Sequence, residues 1–322
     1  MLEVRVCEDL EEGRRLWQQC WPNEILFDFW DVRACFQEAF NHRPYFLVAE
    51  RDGNIQGLLA LSWIEDEQYF GHFPGEIWQG KTWLEQNRII ASDTSVYQAL
   101  MSHLPDSASI RYLTGESILT DEGMSIIDEI GYLFYPQRYH YSFQIYLEQF
   151  SGKSRKKIFR ELDQLETLGL SYRYDRIEDI KHLFRMNLEA FKERSYFSDP
   201  RFLKSFETLV IWLEKKGLIR VTTVIIGGKI AAVDIGAVLG STYTVLGGAT
   251  NSDFPGVAKL INFHHLEWAC RQRLEVVDFL CGDFGWKERF RLNPRPLFLL
   301  SNHTMDSAST TFSKFSSHNA YA

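Results

Sequence analysis

Three short apolar segments, joined by tight turns and followed by a helix and one more strand, constrain the fold of this chain most strongly. The apolar segments are residues 218–226, 230–239 and 242–249. Gly228 and Gly240 stand in the two turns, and glycine turns between apolar segments predict an antiparallel meander. The periodicity of the following residues predicts a helix over 256–273 and a strand over 276–281.

Each half of the chain is predicted to follow the same order of helices, an antiparallel hairpin and further strands. Helices are predicted over residues 9–17, 28–40, 153–168, 177–194 and 200–216. Asp9 is the expected N-cap of the first helix, and Asp52-Gly53 is a hairpin turn signal in the first half. We therefore expect an α+β fold with two domains in tandem, each a mixed, largely antiparallel sheet flanked by helices.

The expected domain boundaries follow from the same pattern. The first domain is placed at residues 1–145, the second at 146–300, and a disordered tail at 301–322, because that tail is rich in Ser, Thr, His and Asn. The apolar run 296–300 just before it is expected to form an edge strand. A length of 322 residues suits two domains of medium size.

Charge and cysteine usage exclude several classes of protein. The net charge is −8, which disfavours a protein that grips nucleic acid by its overall charge. The five cysteines contain no CxxC pair, so we expect neither a disulfide framework nor a zinc site. No apolar run approaches the ~20 residues of a membrane span, and the N-terminus has no apolar signal core, so the cytoplasm is the expected location.

The segment between the meander and its helix is a candidate anion site. Asn251 to Pro255 form a loop, and a helix begins at Gly256. Free backbone N–H groups and the helix dipole favour an anion at such a position, and Gly256 lets a phosphate approach closely. The expected donor-binding residues are Gly256, Val257, Ala258 and Lys259. The alternative is an ordinary turn with Pro255 at the first helical position.

A second candidate lies at the end of the last predicted strand. Asp278 stands inside an apolar strand, where a buried carboxylate needs a partner. Asp283 follows between two glycines, and Trp286 and Lys287 come next. Either these residues carry chemistry and substrate contacts, or Asp278 and Lys287 form a structural pair that closes the turn.

A third candidate pairs Asp234 with Tyr243. Asp234 lies mid-strand and shares a face with Ala232 and Gly236, whose small side chains leave room for a ligand. Tyr243 is expected on the neighbouring strand. A carboxylate and a phenol facing one cleft could act as general base and general acid. The alternative is an Asp234 that is exposed to water on an edge strand.

Two helices carry further candidate residues. In the helix from 256, His264 falls on the apolar face and is expected in the core, whereas His265 is expected at the edge of that face. The helix from 153 begins with a basic stripe formed by Lys153, Lys156, Lys157 and Arg160. Arg155 instead leads the apolar stripe of that helix. The basic residues indicate either an anionic ligand or a solvated face.

These motifs together resemble the GNAT-fold acetyltransferases of the cellulose-biosynthesis CelD/BcsL type, which are relatives of the FemAB peptidoglycan-bridge enzymes. The resemblance covers roughly the last half of the chain. It is carried by residues 151–157, 228–232, 254–256, 278–283 and 286–290. It implies two GNAT-like domains, of which the first is degenerate, and a pyrophosphate-binding turn at Gly256.

The resemblance implies transfer of an acyl group, with acetyl-CoA as the expected donor, to an amine of an amino sugar or another cell-envelope precursor. Asp234 or Asp278 would accept the amine proton, Tyr243 would protonate the leaving thiolate, and Lys287 would position the carboxylate or the substrate. The expected substrate contacts are Arg155, Asp283 and Trp286, and no metal is expected. The alternatives are an aminoacyl-tRNA donor, as in Fem enzymes, and a non-catalytic binding protein built on the same fold.

Overall fold

The computed structural model describes residues 1–119, 125–282 and 287–302, and these residues form two compact units. The first unit contains Met1–Ile130, Asp199–Trp212 and the described residues from Arg295 onward. The second unit contains Gly131–Ser198 and Leu213–Pro294. The expected tail lies outside the described residues from position 303.

The first part of the chain contains shorter helices and a run of consecutive strands. In order they are β1 (Leu2–Cys7), α1 (Leu10–Cys20), α2 (Trp30–Phe40), β2 (Arg43–Arg51), β3 (Asn54–Ile64), β4 (Tyr69–His72), β5 (Ile90–Ala91), α3 (Thr94–Ser102) and β6 (Ser109–Leu113).

The second part of the chain carries the longer helices and the meander. Its elements are β7 (Ser125–Phe134), α4 (Phe143–Leu147), α5 (Gly152–Thr167), β8 (Leu170–Tyr174), α6 (Ile180–Phe191), α7 (Pro200–Lys215), β9 (Ile219–Ile226), β10 (Lys229–Leu239), β11 (Thr242–Thr250), α8 (Val257–Gln272), β12 (Val276–Asp278) and β13 (Asn293–Ser301).

The first unit is built on an antiparallel sheet with the strand order β1-β2-β3-β4, and β5 pairs with β3. The Asp9 side chain accepts a hydrogen bond from the Glu12 N–H at 2.7 Å, which confirms the predicted N-cap of α1. The buried Trp17 ring stacks on Trp21 with 3.6 Å between centroids. Large aromatic side chains of this kind bury much apolar surface and so stabilise the core of this unit.

The second unit contains the predicted meander. β8, β9, β10 and β11 pair antiparallel in that order, β12 joins β11 in parallel, and Val277 of β12 pairs with Phe134 at the end of β7. Gly228 and Gly240 adopt positive φ angles of 78° and 56° in the two turns, which a residue with a Cβ tolerates poorly. The predicted mixed, largely antiparallel α+β fold is thereby confirmed.

Two helices of the second unit cover opposite faces of its sheet. Val257, Leu260 and Ile261 of α8 share a core cluster with Val224 and Ala232. α6 packs against β10 and β11. The Thr223 hydroxyl donates to Asp179, next to the start of α6, and Thr223 points away from the α8 face because side chains alternate along a strand. Asp234 therefore lies on the face that α8 covers.

Several predicted boundaries change. Strand pairing of β12 ends at Asp278, three residues before the predicted end. β13 lies between β6 and β7 in the strand order, so the expectation of an edge strand at 296–300 is wrong. The strands β1, β4, β7 and β8 and the helices α3 and α4 were not predicted, because their apolar patterns are short or irregular and long-range pairing stabilises them.

Candidate functional site

The parallel strands β11 and β12 separate after a short stretch of pairing. Their register ends at Thr244↔Asp278, whereas β11 continues to Thr250 and keeps its pairing with β10 up to Ala232↔Thr250. After Asp278 the chain turns toward β7, since the Phe279 N–H donates to Tyr132. Among the described residues, 245–250 of β11 therefore have a strand partner on one side only, which leaves backbone N–H and C=O groups free at an opening in the sheet.

The N-terminus of α8 follows directly from this one-sided strand. Gly256 is its N-cap with φ +90°, and no side chain caps the helix. The N–H of Val257 bonds to Phe254 and that of Leu260 to Gly256. No acceptor within the described ranges receives the N–H groups of Ala258 and Lys259. Two free donors and the positive end of a helix dipole make this a place where an anion is stabilised.

The Lys259 ammonium does not stand free at this helix start. It forms an ion pair with Glu161 of α5, and both side chains are partly exposed. Glu161 also lies 3.8 Å from Lys157. Asp253, in the preceding loop, is exposed. The donors that the geometry offers at this position are therefore backbone N–H groups, and the direct role of Lys259 in donor binding stays a prediction.

Asp234 is buried on the central strand β10 and is held by a histidine. It is 6 % exposed, and its Oδ2 accepts a hydrogen bond from Nε2 of His265 at 2.9 Å. β9 and β11 flank β10 on its two sides, so the alternative of a water-exposed carboxylate on an edge strand is excluded. The hydrogen bond fixes the orientation of the carboxylate.

His265 is fully buried, so its expected place at the edge of the apolar face is wrong. α8 is covered on two sides: His265 meets the sheet at Asp234, while Phe263 packs against other aromatic rings, including Phe290 at 4.7 Å between centroids. A helix enclosed on two sides buries a wider part of its surface than one apolar stripe. The single-stripe pattern therefore underestimates how many positions of α8 are buried. The adjacent pair His264 and His265 was the sequence signal that could have drawn attention to a buried histidine on this helix.

The second oxygen of Asp234 lies over a glycine of β11. A Cβ built at Gly248 would stand 2.1 Å from Oδ1 of Asp234, so only glycine leaves room for this carboxylate. Gly248 is solvent-exposed and belongs to the one-sided stretch of β11. Oδ1 has no hydrogen-bond partner within the part of the chain that the structure describes. Asp234 thus has one oxygen anchored by His265 and one oxygen beside Gly248 in the one-sided stretch of β11, and its role as a general base stays a prediction.

Tyr243 approaches the same group from β11. It pairs with Val238 in the register and not with Asp234, but a bulge at Ile235/Gly236 and the absence of a side chain at Gly236 make room for its ring. The ring centroid lies 5.3 Å from that of His265. Burial, together with the nearby Asp234 carboxylate, raises the pKa of Tyr243 well above its usual value. Its hydroxyl is protonated and sealed from solvent, so its role as acid stays a prediction.

Asp278 and Lys287 both form hydrogen bonds to the backbone of the turn that follows β12. Oδ1 of the buried Asp278 accepts from the N–H of Leu280, which has φ +57°. The Lys287 ammonium donates to the carbonyl oxygens of Phe279, Leu280 and Cys281 at 2.9, 2.8 and 2.6 Å. These bonds match the three protons of an ammonium group. The geometry favours the structural interpretation of both residues, and their catalytic roles stay predictions.

The structure says less about the remaining predicted substrate contacts. Asp283 and Trp286 lie outside the described residues. Arg155 is half-buried in α5, and no ion pair joins it to any described residue. Ser151 caps α5 by accepting from the Ser154 N–H at 3.2 Å. The basic stripe of α5 (Lys153, Lys156, Lys157 and Arg160) is exposed.

Arg220 is a residue that sequence reasoning missed. It is 9 % exposed on β9, and its guanidinium carbon lies 3.6 Å from the ring centroid of Trp268 on α8. The signal was present in the sequence, because Arg220 is an isolated cation in the apolar strand 218–226.

No described group of three or more His, Cys, Asp or Glu side chains could hold a metal ion. None of the helices in the described ranges is long and apolar enough to cross a bilayer.

Comparison with known proteins agrees with this geometry. The sequence model of the acetyltransferase (GNAT) domain family matches residues 152–288, which include β11, the loop and α8. The structure resembles that of FemX with a TM-score of 0.57 and 11 % identity over 97 % of this chain and 100 % of FemX. It also resembles L-PGS from Bacillus licheniformis, with a TM-score of 0.54 and 11 % identity over 97 % of this chain and 98 % of that one.

A third similar structure is a conserved protein of unknown function from Bacteroides thetaiotaomicron VPI-5482, with a TM-score of 0.56 and 11 % identity over 93 % of this chain and 99 % of that one. A search of curated proteins found no match. At these identities the likeness is one of fold. The expected GNAT-type fold is confirmed over residues 152–288, and the likeness to FemX extends over nearly the whole chain.

Proposed function

We propose that this chain transfers an acyl group from an acyl-CoA, with acetyl-CoA as the expected donor, to an amine. The proposed C-terminal domain, residues 146–300, carries the chemistry. The supporting observation is the one-sided stretch of β11 that leads to the free N–H groups of Ala258 and Lys259. That arrangement lies inside the stretch that matches a GNAT acetyltransferase domain.

The donor has groups that suit each part of this arrangement. The pyrophosphate of an acyl-CoA would bind at the α8 N-terminus, where Gly256 presents no Cβ to it. The amide groups of its pantetheine arm would pair with the free backbone edge of β11, as a strand would. The thioester would then lie along β11 near Gly248, beside Oδ1 of Asp234.

The proposed chemistry is direct attack of the amine on the thioester. Asp234 accepts a proton from the amine, a C–N bond forms, and the C–S bond of the tetrahedral intermediate breaks to release CoA thiolate. His265 holds the carboxylate through Oδ2, so that Oδ1 stays directed at the substrate. The thiolate receives its proton from Tyr243, and this step requires donor binding to expose the hydroxyl that is sealed in this structure.

The test of donor binding uses two glycines with similar backbones. Gly256 and Gly228 have φ of +90° and +78°, and no neighbour crowds a Cβ at either position. Glutamate at 256 places a carboxylate where the pyrophosphate would bind, whereas Gly228→Glu introduces a similar backbone strain in the hairpin turn between β9 and β10. Wild type and Gly228→Glu should be stabilised by acetyl-CoA by about 2.7 kcal/mol at a concentration of ~100 Kd. Gly256→Glu should lose this stabilisation.

The result is read from thermal unfolding and isothermal titration with acetyl-CoA and with CoA. Equal binding by wild type and Gly256→Glu would remove the donor site from α8. An absence of binding to all three proteins would reject acyl-CoA as the donor.

The exposed basic stripe of α5 favours a second candidate function, which is transfer of an aminoacyl group from tRNA. Four cations in about two helical turns suit a phosphate backbone. The charge-reversed double variant Lys153→Glu/Lys156→Glu should then lose binding of aminoacylated tRNA in a filter assay, and wild-type binding should weaken steeply with salt. Stabilisation by charged tRNA but not by acetyl-CoA would put this function first. Equal tRNA binding by the variant would reject it.

A further inference from the structure

Arg220 is a buried cation whose side chain lacks a hydrogen-bond acceptor among the described residues. Its side chain forms no hydrogen bond or ion pair with any residue that the structure describes, and its Nε is sealed from solvent. Other buried cations of this chain are satisfied. Lys287 donates to three carbonyl oxygens, and Arg33 of the first unit donates to the carbonyl oxygens of Phe27, Phe73 and Glu85. An unpaired buried guanidinium is costly, so a missing acceptor is the informative feature here.

Aromatic rings hold the guanidinium by its face. Its carbon lies 3.6 Å from the ring centroid of Trp268 and 5.3 Å from that of Tyr174. Stacking uses the face of the planar group and leaves the two terminal Nη groups, which are not among the sealed atoms, to bind a carboxylate or phosphate in two parallel bonds. Burial lowers the pKa of Arg220, and the nearby Tyr243 and the Asp175 carboxylate oppose this shift without forming an ion pair with Arg220. Oδ1 of Asp175 accepts instead from the Val221 N–H.

Arg220 and Asp234 share one face of the sheet. In the register of β9 and β10, Thr222 pairs with Asp234, and Arg220 pairs with Gly236. Arg220 and Asp234 are therefore diagonal neighbours, with Cα atoms about 7–8 Å apart. Thr222, between them, is fully buried and its hydroxyl has no partner within the described ranges. A cation and a carboxylate at this spacing match a ligand that carries an amine and an anion close together.

We propose that Arg220, held against Trp268 and Tyr174, binds an anionic group of the acceptor whose amine is delivered to Asp234. The inference rests on the proposed acyl transfer for the role of Asp234. It narrows the acceptor to amines that carry a carboxylate or a phosphate within a few bonds, such as amino acids or phosphorylated amino sugars. A neutral amine leaves the guanidinium uncompensated and is a poor acceptor.

The experiment compares acceptors that differ only in the anion. CoA release from acetyl-CoA is measured with L-alanine against L-alaninamide, and with glucosamine 6-phosphate against glucosamine. Wild type should favour the anionic member of one pair by at least about tenfold in kcat/KM, and the favoured pair identifies carboxylate or phosphate as the source. Arg220→Gln should abolish this preference mainly through KM for the acceptor. Arg185→Gln, an exposed arginine of the same unit, is the matched control and should retain it.

A binding measurement separates the inference from the proposed function. Thermal stabilisation by inorganic phosphate and by acetate is measured without acyl donor in wild type, Arg220→Gln and Arg185→Gln. Loss of stabilisation in Arg220→Gln alone supports the anion site even if acetyl-CoA does not bind and the proposed function fails. If wild type acetylates neutral amines as well as anionic ones, or if Arg220→Gln is stabilised as strongly as wild type, the inference is wrong.

Arg220→Lys is a second variant that tests the inference if Arg220→Gln fails to fold. It keeps the positive charge and loses the planar guanidinium edge. It should raise KM for the anionic acceptor severalfold with KM for acetyl-CoA unchanged. An unchanged KM for the acceptor would overturn the assignment of Arg220.

Discussion

Asp234 on the central strand β10 and His265 on α8 are joined by a hydrogen bond of 2.9 Å that is closed to solvent on the histidine side. The bond ties the sheet to the helix whose N-terminus offers the anion site. It also leaves the other carboxylate oxygen over exposed Gly248. Structural anchoring and the proposed catalysis thus meet in one side chain, and substitutions can separate the two roles.

Asp234→Asn removes the proposed base but keeps an oxygen that His265 can bond. We expect kcat to fall by about 10²–10⁴-fold, which is the usual contribution of general base catalysis, with the affinity for acetyl-CoA unchanged. Steady-state kinetics over pH and calorimetric titration of acetyl-CoA measure the two effects. Asp163→Asn, at an exposed position of α5, is the control and should keep wild-type kcat. Wild-type turnover by Asp234→Asn would exclude this residue as the base.

Gly248→Ala should disable the site sterically. Its methyl group would lie 2.1 Å from Oδ1 of Asp234, so the carboxylate or the strand must shift. We expect a loss of kcat together with a destabilisation of about 1–3 kcal/mol, as for overpacking of a core. Gly152→Ala in the first turn of α5 meets no atom within 4 Å and should be neutral or stabilising by up to about 1 kcal/mol. Urea unfolding and CoA-release assays measure the stability and kcat of both variants. Equal stability and equal kcat of the two would contradict the close approach of Asp234 to Gly248.

Lys287→Met tests the turn that follows β12. The substitution removes three hydrogen bonds from a charged donor to the carbonyl oxygens of residues 279–281. We expect a loss of about 2–5 kcal/mol in the free energy of unfolding, because buried acceptors lose a charged partner. Lys259→Met removes a partly exposed ion pair with Glu161 and should cost at most about 1 kcal/mol. Comparable urea midpoints for the two variants would show that Lys287 does not stabilise the turn.

Stability should fall on acidification because of His264. Its ring stacks on Tyr172 at 4.1 Å between centroids, and burial lowers the pKa of His264 to about 3. The unfolded chain takes up this proton near pH 6.5, so between about pH 6.5 and 3 it binds more protons than the folded chain, and the free energy of unfolding decreases as the pH falls. From about pH 7 to pH 5 this histidine contributes a loss on the order of 1–2 kcal/mol.

His264→Phe keeps a ring for the stack and removes the titrating group. Its unfolding free energy should depend less on pH than that of wild type over the same range. His103→Gln, at an exposed position, should keep the wild-type dependence. Urea unfolding at the two pH values measures both, and an unchanged slope for His264→Phe would show that His264 is not buried in its neutral form.

Local signals in the sequence were enough for the elements that local chemistry determines. The Asp9 cap, the glycine turns of the meander and the long amphipathic helices α5 and α7 follow from propensity, turn chemistry and periodicity. The same signals located the loop before Gly256 and drew attention to Asp234 and Tyr243. Each of these depends on neighbours a few residues away, and such neighbours are visible in a linear pattern.

Only the tertiary structure decided which of these groups meet. His265 is 31 residues from Asp234 and Trp268 is 48 residues from Arg220, and neither pair has a signature in local spacing. The early separation of β11 from β12 depends on pairing with β7, whose residues lie more than 100 positions earlier. The sequence by itself determined the elements with strong local patterns, including the meander and the long helices, and it located Asp234, Tyr243 and the loop before Gly256. The packing of α8 on the sheet decided that the Asp234 carboxylate is anchored by His265 beside β11, and that the Arg220 guanidinium stacks on Trp268 without a hydrogen-bond partner among the described residues.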